Sequence, residues 1–246
     1  CLEDTQLLQA NLNIITKWSN DNMFKFNRSK CFYICFTRKN AHIDSVYSIE
    51  DVVIAREMSS RDLGVIFDSN LNFNLHIDHM ATSANKSLGF IMRISKSFKN
   101  YDLIKTLFYA VVLSKLEYAC LIWYPLYLKH NMVLDKIQRK FLKFLSFKCD
   151  GTYPERGTDM TILLQRHQMS SLPYRRDIHC ANFLVKLLNN KIDCGNILAN
   201  IGFNVPRLSS RYVNTFNIPR ARTNVLRRAP VTTMSRCANK LIPDIF

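Results

Sequence analysis

Glycine is scarce in this chain: six of 246 residues. A phosphate cradle made of converging backbone amides needs a glycine-rich loop, and none occurs. There is no nucleophile elbow either, and no carboxylate pair in a recognisable catalytic setting. The eight cysteines (Cys1, Cys31, Cys35, Cys120, Cys149, Cys180, Cys194 and Cys237) form no CxxC pair. Several lie inside apolar runs, where a thiol behaves as a small hydrophobe. No disulfide framework is suggested, and a reducing intracellular compartment fits best.

Acidic side chains are the other shortage. Lys and Arg number 34 against 19 Asp and Glu, a formal net charge of +15. No acid occurs from His79 to Tyr101, from Lys136 to Cys149, or between Asp193 and Asp244. An imbalance of that size implies an anionic partner, nucleic acid first and an acidic membrane surface second. Ordinary solvated helix faces mix both signs, which these stretches do not.

What remains is enough for a folded protein. With 48% apolar residues and 11% aromatics the chain can bury a sizeable core, so wholesale disorder is not expected. The first residue is Cys1 and no signal-peptide pattern follows, so a fragment or processed piece is expected. Residues 106–128 come close to the length and hydrophobicity of a membrane span. Lys115 and Glu117 sit near their middle, however, where charge is most costly in lipid, and a buried core helix is the better reading.

Helical periodicity runs over residues 3–20, with Leu7, Leu8, Leu12, Ile15 and Trp18 on one side. Residues 31–36 (Cys-Phe-Tyr-Ile-Cys-Phe) read as a short buried strand; Val52–Ile54 and Leu63–Phe67 are further strand candidates. Residues 75–145 read as three helices. The first covers about 75–97, and Asp102 is the expected N-cap of the second, which runs to Trp123 before Pro125. The third covers about 131–147 and ends near Asp150-Gly151. Further helices are expected at 161–172 and 177–190. Beyond Cys194 lie Arg207, Arg211, Arg220, Arg222, Arg227, Arg228, Arg236 and Lys240, interrupted by Pro206, Pro219 and Pro230. That pattern predicts an extended basic tail.

Few residues suggest metal or redox chemistry. His76-Ile77-Asp78-His79 invites a metal reading at i, i+3, but no further ligands follow at a diagnostic spacing, and helix-start polarity explains it as well. Cys31 and Cys35 would point the same way on a strand, yet without a second pair they read as core. His179-Cys180 with Cys194 has no zinc-knuckle spacing. No metal site is expected.

The basic helical faces are the stronger signal. Lys86, Arg93, Lys96 and Lys99 lie in the first acid-free stretch. In the second, at 100° per residue, Val133, Ile137, Phe141 and Phe144 share one side, while Lys136, Arg139, Lys140 and Lys143 share the adjoining one. Faces of one sign favour salt-sensitive binding to phosphate backbones.

These residues carry a family resemblance. Leu7–Trp18 followed by Phe26-Asn27-Arg28-Ser29-Lys30-Cys31 resembles the segment just downstream of the catalytic Tyr-Ala-Asp-Asp box in reverse transcriptases of non-LTR, LINE-type retrotransposons. Asp62-Leu63-Gly64-Val65 with Leu71 and His76, then Lys86-Ser87-Leu88-Gly89-Phe90 and Arg93, continue it. So do Leu116-Glu117-Tyr118 with Trp123 and Pro125, and Ile137-Gln138-Arg139. Val205-Pro206 through Arg211, and residues 219–224 (Pro-Arg-Ala-Arg-Thr-Asn), are similar to the ends of Jockey-like insect elements.

The resemblance implies an α+β fold, mostly α. A remnant of the palm sheet with the primer-grip hairpin would occupy residues 1–70 and a helical thumb 71–148. Helices would follow at 149–193 and the basic tail at 194–246. It implies that Lys30 is the palm lysine assisting the departing pyrophosphate, since phosphoryl transfer is catalysed mainly by positioning and electrostatics. Leu63 and Gly64 would form the primer grip. Lys86, Arg93, Lys96, Lys99, Lys136, Arg139, Lys140 and Lys143 would bind nucleic acid. The implied partners are an RNA template, a DNA primer and the remainder of the reverse transcriptase, within a ribonucleoprotein of nucleus and cytoplasm. The intact enzyme would use Mg2+ held by aspartates upstream of Cys1, so this chain alone would hold no cofactor and would be inactive. Leu113 stands where the family often has arginine. Two other classes of reading remain open: a helical interaction protein without nucleic-acid contact, and a basic protein peripheral to membranes.

Overall fold

A computed structural model describes residues 2–38, 45–125, 127–204, 214–227 and 229–241. The fold is α+β and mostly α, its strands short and paired only two by two. It divides into two compact units, residues 1–75 and 76–246.

The first unit begins with α1 (Leu2–Asp21) and a 3-10 turn, Arg28–Lys30. Four short strands follow: β1 (Phe32–Tyr33), β2 (Ser48–Ile49), β3 (Val52–Val53) and β4 (Ala55–Arg56). β2 and β3 pair antiparallel, whereas β1 runs parallel to β4 with Phe32 opposite Ala55. β5 (Ser59–Asp62) and β6 (Val65–Asp68) form a hairpin. Its turn is Leu63-Gly64, with φ of 45° and 89°. Positive φ at both turn residues matches the twist of the flanking strands, and a glycine at one of them removes most of the steric cost. The strand expected over 63–67 is therefore shifted, with Leu63 and Gly64 lying in the turn. Asp68 closes the hairpin's exit: Oδ1 accepts from the amides of Asn70 and Asn72, and Oδ2 from that of Phe73.

Two burial expectations fail in this unit. The periodicity of α1 is present, but Leu7, Leu8, Ile15 and Trp18 are exposed, Trp18 by 57%. The inward side is instead Thr5, Gln9, Leu12, Thr16 and Ser19. Gln9 fixes this orientation, because its amide donates to the carbonyl of Ser48 and accepts from its N–H, both at 3.0 Å. Residues 31–36 are not a buried strand either, since only Phe32 and Tyr33 are paired and Phe32 and Phe36 are exposed.

The second unit opens with α2 (Asn74–Ile94), extended by a 3-10 turn at Ser95–Ser97. α3 (Tyr101–Leu107) follows, capped by Asn100 rather than Asp102; the Asn100 side chain accepts from the amides of Asp102 and Leu103. The rod continues as a π-helical turn, Phe108–Leu113, and α4 (Ser114–Glu117). It stops there, short of the expected Trp123. Ala119 turns to φ 51° and the Trp123 indole donates to the carbonyl of Tyr118 at 2.7 Å. Among the described residues no helix is long and apolar enough to cross a membrane.

α5 (Leu128–Asp150) is the central helix. It buries Leu134, Ile137, Phe141, Leu142 and Leu145, with the ring of Phe141 stacked 3.8 Å from that of Phe108. Gly151, at φ 74°, ends it in the left-handed conformation and returns its N–H to the carbonyl of Phe147. α6 (Met160–Arg166) and α7 (Leu172–Leu188) come next. The break between them falls at 167–171, where Gln168 has positive φ and Ser171 caps α7.

The remainder is α8 (Gly195–Leu198), a hairpin of β7 (Gly202–Phe203) and β8 (Phe216–Asn217), α9 (Asn224–Arg227) and α10 (Pro230–Leu241). Where an extended tail was expected, α10 packs on α7 around Cys180, Leu184, Phe216, Met234 and Cys237, all buried. Pro230 sits at the helix start, where its missing N–H costs nothing. Arg207, Arg211 and Arg228 lie outside the described residues.

Candidate nucleic-acid interface

The geometry of α5 decides which of its cations meet solvent. Removing the arc that buries Leu134, Ile137, Phe141, Phe144 and Leu145 leaves one narrow face. That face carries Lys136, Lys140, Lys143 and Phe147. Lys136 and Lys140 are exposed and Lys143 is half-buried. Arg139 lies at its edge, half-buried, with Nη1 3.5 Å from the carbonyl of Thr158. Asp135 flanks the other side of Arg139, and burial raises its carboxyl above the ordinary range despite Arg176 and Arg139 nearby.

Two hollows border this face. Towards α6 and α7, Lys136 and Arg139 line a groove of about 500 Å³ with Met132, Asp135, Met160, Leu164 and Pro173. Towards α2, Arg93 and Lys96 meet the end of α5 in a cleft of about 320 Å³ whose other walls are Met92, Phe144, Phe147, Lys148 and Tyr153. Lys148 ties the two helices, its ammonium donating to the carbonyl of Lys96 at 2.8 Å. The Arg93 guanidinium lies over Gly89, 3.6 Å from where a Cβ there would stand. Tyr153 stacks on Phe147 with ring centroids 4.4 Å apart and 13° between planes.

The structure thus joins Arg93 and Lys96 to the basic end of α5, and Lys136 to Arg139. Lys99 falls elsewhere, in a hollow with Asp102, Lys105, Cys149, Arg166 and His167. Lys86 is exposed on α2 and lines neither of the two hollows that border the α5 face. In the first unit, Lys30 is exposed at the end of the 3-10 turn that Asn27 caps. Leu63 projects from the hairpin turn, 84% exposed.

Several residues that matter were given no role in a site from sequence. Glu117, from the Leu-Glu-Tyr segment, accepts two bonds from Arg175 and lies 3.1 Å from Nε2 of His179. The segment therefore fastens α4 to α7. Arg176 is buried, donating to Asn131 at 2.6 Å, and burial lowers its pKa. Lys148 and Tyr153 were also missed. An apolar residue just past a helix-ending glycine commonly folds back onto the last turn, which is the signal that points to Tyr153.

The metal reading at His76 and His79 loses its geometry. His76 is buried, its ring 5.6 Å from that of Trp123, whereas His79 is exposed. Among the described residues no group of three or more His, Cys, Asp or Glu is gathered as a metal would require.

Compared with protein-family models, curated proteins and solved structures, the chain matches none.

Proposed function

We propose that this chain is a piece of a non-LTR retrotransposon reverse transcriptase that grips a template–primer duplex without carrying out the chemistry. The observation that carries the reading is the solvent face of α5. Lys136, Lys140 and Lys143 lie along it with no acid between them, and Arg93, Lys96 and Lys148 extend it at the cleft with α2. Cations in a row on a rigid helix suit the regular phosphates of a duplex, which position a protein without reading sequence. On this reading residues 71–148 are the thumb and the Leu63-Gly64 turn is the primer grip. Lys30 is the palm lysine beside the leaving group, and the partners are RNA template, DNA primer and the rest of the enzyme, in a ribonucleoprotein of nucleus and cytoplasm. A Tyr-Ala-Asp-Asp box has no counterpart in these residues. Binding rather than polymerisation is therefore the activity assigned to them.

The test is affinity for an RNA–DNA duplex at a series of salt concentrations. The proposal expects log affinity to fall linearly with log salt, as counterion release requires. Absent binding, or binding indifferent to salt, would overturn it. Either result is what a helical interaction protein gives, and the exposed apolar stripe of α1 favours that as the runner-up.

A further inference from the structure

Nothing in duplex-backbone binding uses the stacked rings of Tyr153 and Phe147. Tyr153 reaches its position because Gly151 adopts φ 74° and reverses the chain at the end of α5. One face of the Tyr153 ring covers Phe147, yet the residue remains 59% exposed. Its aromatic surface therefore continues into solvent at the mouth of the cleft. The walls are Arg93, Lys96 and Lys148 for charge and Met92 and Phe144 for apolar contact, with no acid among them. At about 320 Å³ the cleft lies at the small end of the range for ligand sites, roughly 300–1,000 Å³.

We infer that Tyr153, backed by Phe147 and rimmed by Arg93, Lys96 and Lys148, is a stacking platform for an unpaired nucleotide of a nucleic-acid strand. The inference rests on the nucleic-acid reading above and deepens it by naming a single-stranded segment as part of what is bound. The chemistry follows from the parts. Every base offers a π face, so an exposed tyrosine stacks a base whatever its identity, while the cations lining the same cleft hold the flanking phosphates. A duplex has its bases already stacked and cannot use the ring. Tyr153 therefore distinguishes unpaired segments and overhangs from paired duplex. Phe147 keeps Tyr153 flat and in place, and Lys148 closes the floor by joining α5 to the end of α2.

The alternative is that Tyr153 merely shields Phe147 from water. Tyr153→Leu separates the two, since leucine still covers Phe147 but has no π face. Tyr153→Phe restores the face. The experiment uses the full chain and measures affinity for three labelled probes: a single strand, the same strand with abasic sites, and a blunt RNA–DNA duplex. The platform predicts that Tyr153→Leu weakens single-strand binding roughly 5- to 150-fold, the range of aromatic substitutions at such sites. It also predicts that Tyr153→Phe binds as the wild type does. The abasic strand and the blunt duplex should be indifferent to both changes. If Tyr153→Leu leaves single-strand affinity unchanged, or weakens blunt duplex equally, the platform is wrong although salt-dependent duplex binding by the wild type keeps the duplex-grip reading. If the wild type binds no probe, both fall together.

Discussion

Glu117 meets Arg175 edge to edge: Nε donates to Oε1 and Nη2 donates to Oε2, the second at 3.0 Å. Only about a tenth of the Glu117 side chain is exposed. The pair joins the end of α4 to α7 across a turn in which Ala119 is left-handed, so it holds a junction that backbone hydrogen bonding does not. Removing one member of a largely buried ion pair strands the other. Glu117→Ala is expected to cost on the order of 3 kcal/mol, read as a lower midpoint in urea. Arg175→Met with Glu117→Leu together should cost clearly less than the sum of the same two changes made singly. Simple additivity of the two would contradict the pairing.

Gly151→Ala is expected to destabilise by about 1 kcal/mol. There is open space for the added methyl, so the cost comes from φ 74° alone. In a chain of this size that is a melting shift of roughly 2–4 °C. Because Gly151 sets the course of the chain to Tyr153, the same variant should also weaken single-strand binding. A variant that melts at the wild-type temperature would contradict the strain.

Mild acid should destabilise the helical unit. His167 is buried with Nε2 2.7 Å from the Ser146 hydroxyl, and burial, reinforced by Arg166 and Lys105, lowers its pKa below the ordinary 6.5. His130 is lowered in the same direction by burial and Lys129. Above 6.5 both are neutral in either state. As pH falls from there towards the folded values, the unfolded chain takes up protons that the folded one refuses, so stability declines, then levels off. The melting temperature should be lower at about pH 5.5 than at about pH 7.5, and His130→Gln with His167→Gln should shrink the difference. An undiminished difference in that double variant would contradict the assignment. A second decline belongs to Asp177. Burial pushes its carboxyl up, but hydrogen bonds from Lys240 and Tyr124 outweigh it and the net pKa lies below 3.8. Its contribution is present above that value and is lost as pH falls through the lower folded one.

The outward apolar side of α1 makes the first unit sticky. Trp18 stacks on the equally exposed Phe24 at 5.8 Å, and Leu7, Leu8, Ile14 and Ile15 extend the patch. Leu7→Gln with Ile14→Gln should reduce light scattering of concentrated protein without lowering its melting temperature, because neither residue is buried. A large loss of stability would show that the stripe is covered after all.

Much of this was legible where local pattern and tertiary packing agree. α2 and α5 follow from amphipathic periodicity, and Gly151 marks the end of α5 as such glycines do. The exposure of Lys136 and Lys140 follows from the same periodicity. The end of the α3–α4 rod at Glu117 was not legible, since no glycine or proline marks it and an alanine gives no sign of the positive φ that Ala119 adopts. α10 was missed because Pro230 reads as a breaker and four of the six residues it buries, Thr232, Thr233, Ser235 and Ala238, are small and barely apolar. For α1 the period was right and the side wrong, since one amide pair between Gln9 and Ser48 turns the helix. In the candidate site, the meeting of Arg93 and Lys96 with Lys148 and Tyr153 depends on how α2 crosses α5, which no local pattern states.

The central claim is that the α5 face grips phosphates. The most direct test compares the salt dependence of RNA–DNA duplex affinity in the wild type and in Lys136→Ala/Lys140→Ala/Lys143→Ala. Each lost phosphate contact should reduce the slope of log affinity against log salt by just under one unit, roughly 2 to 3 in all, with melting unchanged because these ammonium groups lie outside the core. A slope identical to that of the wild type would show that the duplex, if bound, is bound elsewhere.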